Sequence, residues 1–201
     1  MKLLIQSIRQ TILWSVIAGI IYPLLITVIA QFAFHDQAEG SLVKRNGKII
    51  CSALMAQQFT GSNYFWPRPS ACTYGTGGTG INASSGSNLG PCSGALQTNV
   101  QNNISGFISG NNLPTNTPVP ADMVYASASG LDPHISPEAA RLQAARVAAA
   151  RGLDAGAVNN LVEQFVEPPQ WGFLGQPRVN VLLLNVALDD LSAQHKTPAK
   201  S

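Results

Sequence analysis

Charge is scarce in this chain, and two stretches have none at all: residues 11–34 and residues 69–121. Cysteine is nearly missing as well. Cys51, Cys72 and Cys92 are too few for a disulfide scaffold and form no C-x-x-C pair of a zinc site. No G-x-x-x-x-G-K-[ST] phosphate loop occurs, because the single Gly-Lys pair is Gly47-Lys48, and no serine sits in a G-x-S-x-G elbow. After Arg9 the chain holds ten basic and ten acidic residues, so this part is formally neutral. Without a basic patch or an aromatic-studded RNA motif, nucleic acid is not an expected partner.

The first uncharged stretch, Thr11 to Phe34, is apolar throughout. At 1.5 Å per residue it reaches roughly 36 Å, against a hydrocarbon core of about 30 Å. It is therefore read as a membrane-spanning helix, with residues 1–10 as a short N-terminal segment. A cleavable signal peptide is the competing reading, with Val28-Ile29-Ala30 as its cleavage site, but its apolar core runs only about 7–15 residues. Lys2 and Arg9 precede the span, whereas Asp36 and Glu39 follow it. The positive-inside rule then puts the N-terminus in the cytoplasm and the rest outside, although Lys44, Arg45 and Lys48 reduce the asymmetry. Within the span, Ser15, Gly19, Pro23 and Thr27 recur every four residues. Small residues at that spacing predict a face on which another helix docks, with hydroxyls bonding across the contact. Pro23 removes one helical hydrogen bond and predicts a bend.

Beyond the span, residues 35–192 read as one small α+β domain. Asn46-Gly47 predicts a two-residue hairpin turn between strands over 41–50. Ser52 predicts the N-cap of a short helix, Ala53 to Phe59, with Leu54, Met55 and Phe59 on its core face. Tyr64-Phe65-Trp66-Pro67-Arg68-Pro69 reads as rigid and extended. The uncharged region 69–121 is too long for an idle loop, predicts a helix over Val100 to Ile108, and needs a neighbouring surface to hold it. A strand-like run follows from Val119 to Ser127. Ser136, Pro137 and Glu138 then open a helix that Gly152 stops. A second helix begins at Asp154 and ends before Pro168-Pro169. Residues 178–184 predict a buried strand, with a short helix over 186–191 and a disordered tail over 193–201.

Gly75-Thr76-Gly77-Gly78-Thr79-Gly80 matches a dinucleotide fingerprint only formally, since neither a strand nor a helix is predicted beside it. Asp132 and His134, with Asp122 and Glu138 nearby, have the side chains of an acid–base or metal cluster. Their quieter reading is local: Asp132 initiates a turn before proline, and His134 satisfies a backbone group beside the helix. Arg141, Arg146 and Arg151 are spaced by five and should fan out around their helix as solvated or paired surface charges. No catalytic, cofactor-binding or metal site is assigned. In an oxidising compartment, Cys72 and Cys92 can pair across a 20-residue loop and leave Cys51 buried and free.

Several motifs, in order along nearly the whole chain, resemble the C subunit of the Kdp potassium-transporting ATPase of bacteria. They are Gly40-Ser41-Leu42, Gln58-Phe59, the run from Tyr64 to Ala71, and the run from Ser85 to Pro91, which includes Asn88. Pro120-Ala121-Asp122, the long run from Ser127 to Ala140, Arg146-Val147-Ala148, Arg151-Gly152 and the run from Val179 to Asn185 complete the set. The resemblance implies a non-catalytic accessory subunit of a K⁺ uptake pump, needed for its assembly and stability. The implied partners are a channel-like K⁺-selecting subunit on which it docks, a P-type ATPase subunit and a small single-span subunit, with ATP and K⁺ handled by the partners. Arg68, Asn88, Asp122, Asp132 and His134 are the candidates for the partner interface or for holding the fold. A second implied mechanism is a chaperone-like one, raising the ATP affinity of the ATPase subunit through a transient ternary complex. Outside the resemblance stand an anchored hydrolase using Asp132 or His134, and a pseudopilin, which would need an acidic residue just inside the apolar helix.

Overall fold

The computed structural model describes residues 1–45, 47–71 and 84–196. Two compact units make up the chain, Met1–Ser52 and Ala53–Ser201, and the hairpin falls in the first of them. The fingerprint-like run 75–80 and Cys72 lie outside the described residues, as does Asn46.

In the first unit one helical run extends from Lys2 to Ala33, with a mean hydropathy of 2.4 over its most apolar window. It begins nine residues before the predicted start. Lys2, Gln6, Arg9 and Gln10 fall at i, i+4, i+7 and i+8, so the early turns carry a polar side that apolar counting alone would leave out. The run consists of α1 (Lys2–Val16), a π-helical turn (Ile17–Ile21) and α2 (Tyr22–Ala33). Pro23 has no N–H to give the Gly19 carbonyl. The wider turn sits at that gap, where the Tyr22 N–H reaches back five residues to the Ile17 carbonyl. A short α3 (His35–Ala38) follows, and then an antiparallel hairpin of β1 (Leu42–Arg45) and β2 (Lys48–Ser52). Arg45 faces Lys48, and Gly47 sits at φ 74°. Cys51 is half-buried in β2, not fully buried as predicted, and burial pushes its thiol pKa up.

Three predictions at the start of the second unit and beyond need correction. The helix expected over Ala53–Phe59 is absent; the Ser52 hydroxyl donates to the Gly40 carbonyl (2.7 Å) instead of capping, and Leu54 is exposed. The strand expected over Val119–Ser127 contains a 3-10 turn at Ala121–Met123. The strand expected over 178–184 stops at Asn180, because the Asn180 side chain accepts from the Leu183 N–H (3.1 Å) and caps a helix over the apolar residues that follow. That helix, α7 (Val181–Lys196), also takes in residues 193–196 of the predicted tail.

The domain is built from α4 (Gly94–Gly110), α5 (Pro137–Arg151), α6 (Ala155–Gln164), α7 and a small antiparallel sheet. The sheet order is β3 (His134–Ile135), β5 (Arg178–Asn180), β4 (Val166–Glu167), with Ile135 and Val166 both paired to Val179. The capping of α5 is as predicted: Ser136 accepts from the Ala139 N–H, Pro137 opens the helix, and Gly152 closes it at φ 64°. Asp154 caps α6 likewise. Alanines 139, 140, 144 and 148 line the buried side of α5, so neighbours approach closely, and Val147, Val158, Val162, Leu184 and Leu188 fill the core with Phe65 and Phe107. In the uncharged region, α4 extends six residues further back than predicted, since its first turns are too polar to show a period. Phe107 is its buried residue, and Asn103 donates to the Val124 carbonyl (2.7 Å).

After a turn at the exposed Ser62 the chain enters the core at the fully buried Phe65, and helix side chains complete the hydrogen bonds of residues 62–66. Asn185 accepts from the Phe65 N–H (2.9 Å) and donates to the Phe65 carbonyl (3.0 Å). Gln143 does the same for Trp66, at 2.7 and 3.3 Å. Arg146 donates to the carbonyls of Ser62 and Tyr64, and Arg151 to that of Asn63. Asn185→Ala strands the N–H and carbonyl of a fully buried residue, so it should lower unfolding free energy by about 2–4 kcal/mol. The exposed Asn159→Ala should change it by less than about 0.5 kcal/mol. Urea unfolding of the detergent-solubilised chain measures both.

Candidate functional site

The sequence points to two places, a stripe on the apolar helix and a polar cluster in the domain. On a regular α-helix a spacing of four residues drifts about 40° per step. The π turn contributes one extra residue and takes back about 100° of that drift. Ser15, Gly19, Pro23 and Thr27 consequently share one narrow face, all four exposed. A Cβ on Gly19 would meet nothing within 4 Å. The Thr27 hydroxyl is used inside the helix, donating to the Pro23 carbonyl at 2.8 Å.

In the domain, the structure brings together Arg68, Asp132 and His134. Arg68 Nη1 lies 2.7 Å from Asp132 Oδ2. The other oxygen, Oδ1, accepts from the His134 N–H (3.0 Å) and lies 3.3 Å from His134 Nδ1. Proline flanks each member of the ion pair, in Pro67-Arg68-Pro69 and Asp132-Pro133, so the local backbone has little freedom. The Ser127 N–H donates to the Pro69 carbonyl (2.9 Å) and the Ser70 hydroxyl to that of Gly130 (2.8 Å). Two of the longest sequence motifs are thereby laid side by side. Arg68 Nε is buried without a hydrogen-bond partner among the described residues.

Asp122 lies outside this cluster and acts locally, accepting from the Ser136 N–H (2.6 Å) and hydroxyl (3.1 Å) at the start of α5. Asn88 is exposed, at φ 51°. Cys92 is exposed with a free thiol, and its proposed partner Cys72 lies outside the described residues. Among the described residues, no group of three or more His, Cys, Asp or Glu side chains is arranged to hold a metal ion.

Burial alone would raise the Asp132 carboxyl, but hydrogen bonds from His134 and Arg68, with the Arg68 charge, outweigh it and hold the pKa at about 2. A general base works best near the operating pH. A carboxylate held ionised so far below neutrality, with both oxygens engaged, is suited to bracing the fold and not to taking protons.

The larger surprise is Arg146, read from spacing as a surface charge and found 6% exposed. The three arginines do fan out as predicted, but in three environments. Arg141 pairs with Glu163 of α6 in the open, Arg151 pairs with Asp189 of α7 (2.8 Å) and is nearly buried, and Arg146 points into the core. Its guanidinium stacks 3.9 Å from the Trp66 ring centre and donates to Asn111 (2.8 Å) and Gln143 (2.8 Å) as well as the two carbonyls. Burial pushes its pKa down to about 10, still charged at neutral pH. The Trp66 ring also lies against Gly110, where any Cβ would collide with it. The only sequence signal for this core was the aromatic-rich run itself, since its partners come from about 80 and 120 residues away.

The Asp132 pKa is depressed in the folded chain. Its contribution to stability is therefore complete above the ordinary value of 3.8 and is lost as pH falls through about 2. Melting curves of the wild type and Asp132→Asn between pH 6 and pH 2 should show a higher melting temperature for the wild type at pH 6. The gap should close between about pH 4 and pH 2; a constant gap would mean that the carboxylate charge contributes nothing.

Residues 4–190 match the family described as "KdpC: K+-transporting ATPase, c chain". A potassium-transporting ATPase KdpC subunit from Methylococcus capsulatus is 49% identical over 186 residues, 92% of this chain and 96% of the relative. One from Geobacter sulfurreducens is 47% identical over 195 residues, 95% of this chain and 99% of the relative. Another, from Rhodospirillum rubrum, is 52% identical over 179 residues, covering 88% and 89%. With the match running through both the apolar helix and the domain, the chain belongs to the KdpC family of K⁺-transporting ATPase subunits.

Proposed function

We propose that this chain is a non-catalytic, single-span accessory subunit of an ATP-driven K⁺ uptake pump, needed for assembly and stability of the complex. The observation that carries this reading is the family match over residues 4–190, which takes in anchor and domain together. The chain docks on the channel-like K⁺-selecting subunit, and the P-type ATPase subunit and the small single-span subunit complete the pump. ATP and K⁺ are handled by those partners. The committed Asp132 carboxylate supports a bracing role for the motif most prominent in the sequence.

Lys2 and Arg9 before the span, with Asp36 and Glu39 after it, support a cytoplasmic N-terminus and a domain on the outer face of the bacterial inner membrane. The narrow face of Ser15, Gly19, Pro23 and Thr27 is the place where a partner helix packs closely. The uncharged run 69–121 favours contact with another protein, since buried charges without partners are costly.

Alkaline phosphatase fused after Ser201 should be active in intact cells. A stable but inactive fusion would put the domain in the cytoplasm and replace this reading by the ATP-chaperone mechanism. Gly19→Glu should reduce co-purification with the channel-like subunit by at least about tenfold, while the domain keeps its melting temperature. Normal co-purification would remove the helix-docking face from the proposal.

A further inference from the structure

Among the described residues of the Ala53–Ser201 unit, the hairpin over residues 168–177 holds the two most exposed large apolar side chains. Trp171 is 84% exposed and Phe173 74%, and Leu174 beside them is 45% exposed. Isolated exposed apolar residues are ordinary, but three within four positions at the tip of one loop are not.

This tip has a fixed shape. Gln170 and Leu174 exchange backbone hydrogen bonds of 3.0 and 2.9 Å, and the Gly172 N–H donates to the Pro169 carbonyl (3.0 Å). Pro168, Pro169 and Pro177 limit the arms. Trp171 itself sits at φ 52°, with Gly172 at 83° and Gly175 at 89°. A tryptophan in the left-handed region is uncommon and unfavourable, and such strain gathers at binding sites, where pre-organisation is useful. Residues 168–177 carry no charge, and the flanking Glu167 and Arg178 neutralise one another at 2.9 Å.

We propose that this hairpin is an anchor that seats Trp171 and Phe173 in an uncharged apolar pocket on another subunit of the pump. The proposal rests on the reading of the chain as a pump subunit and adds the contact. A protein pocket rewards a fixed, strained shape, whereas a fluid bilayer interface does not require one. An anionic membrane surface would also select exposed lysine or arginine, and the tip has neither. Tryptophan at the centre of an interface, with a neutralised polar rim, is the usual composition of a binding hot spot.

The test titrates the full-length chain in detergent onto the remaining pump subunits assembled without it. Trp171→Gly combined with Phe173→Ala preserves the left-handed backbone and removes both rings. It should weaken association by about 30-fold or more and leave the melting temperature of the free chain unchanged. Phe173→Ala alone should weaken it by a smaller factor. Wild-type affinity in the double variant would overturn the proposal. So would quenching of Trp171 by brominated lipid in the assembled pump, measured in a Trp14→Phe background, because it would put the tip in the bilayer. If the wild-type chain itself fails to associate, the subunit reading falls, and the anchor with it.

Discussion

Backbone that is buried outside any helix or sheet has to find its hydrogen bonds elsewhere, and Phe65, with the irregular residues 62–66 around it, is such a case. Asn185, Gln143, Arg146 and Arg151 supply those bonds from α5 and α7. Much else in the domain follows from that arrangement. The helices must lie close enough for short amide side chains to reach the main chain, which the alanine side of α5 permits. Arg146 can remain charged in the interior because carbonyls, amide oxygens and the Trp66 ring surround it. Each partner would be an unsatisfied buried group without the others, so the network is costly to break at any single point.

The Arg68–Asp132–His134 cluster continues the same logic toward the surface. It ties the chain just beyond Trp66 to the turn that precedes α5, while Asp122 secures the first residues of that helix. Acidic residues that looked like candidates for proton transfer are spent on backbone N–H groups and an arginine. These side chains brace the fold, and the most exposed apolar feature among the described residues of the domain is the Trp171–Leu174 tip.

The sequence displayed some features clearly and hid others for definable reasons. The long apolar helix was legible from its hydropathy, and the α5 caps and the Asp154 cap because they depend on neighbours within four residues. The strand assigned to 178–184 failed at one residue: Asn180 ends β5 and caps α7, and capping outweighed the β preference of Val179 and Val181. The short helix after Ser52 failed because that hydroxyl had a better partner at Gly40. Within the candidate site, Arg68, Asp132 and His134 stand in motifs visible in the sequence, but the Arg68–Asp132 contact spans 64 residues and no local pattern announces it. Arg146 was misjudged because spacing around a helix says which way a side chain points and not what lies there.

Composition and order of residues, by themselves, determined a single apolar helix long enough for a membrane, a mixed domain after it, the start of its central helix and the family. These rest on hydropathy, on contacts within one helical turn and on motifs read directly from the chain. Only the tertiary structure decided that the irregular backbone around Phe65 would be hydrogen-bonded by side chains, that one arginine of three would be buried, and that a strained aromatic tip would be left outside. Those outcomes depend on which distant segments meet, and burial is a property of that meeting.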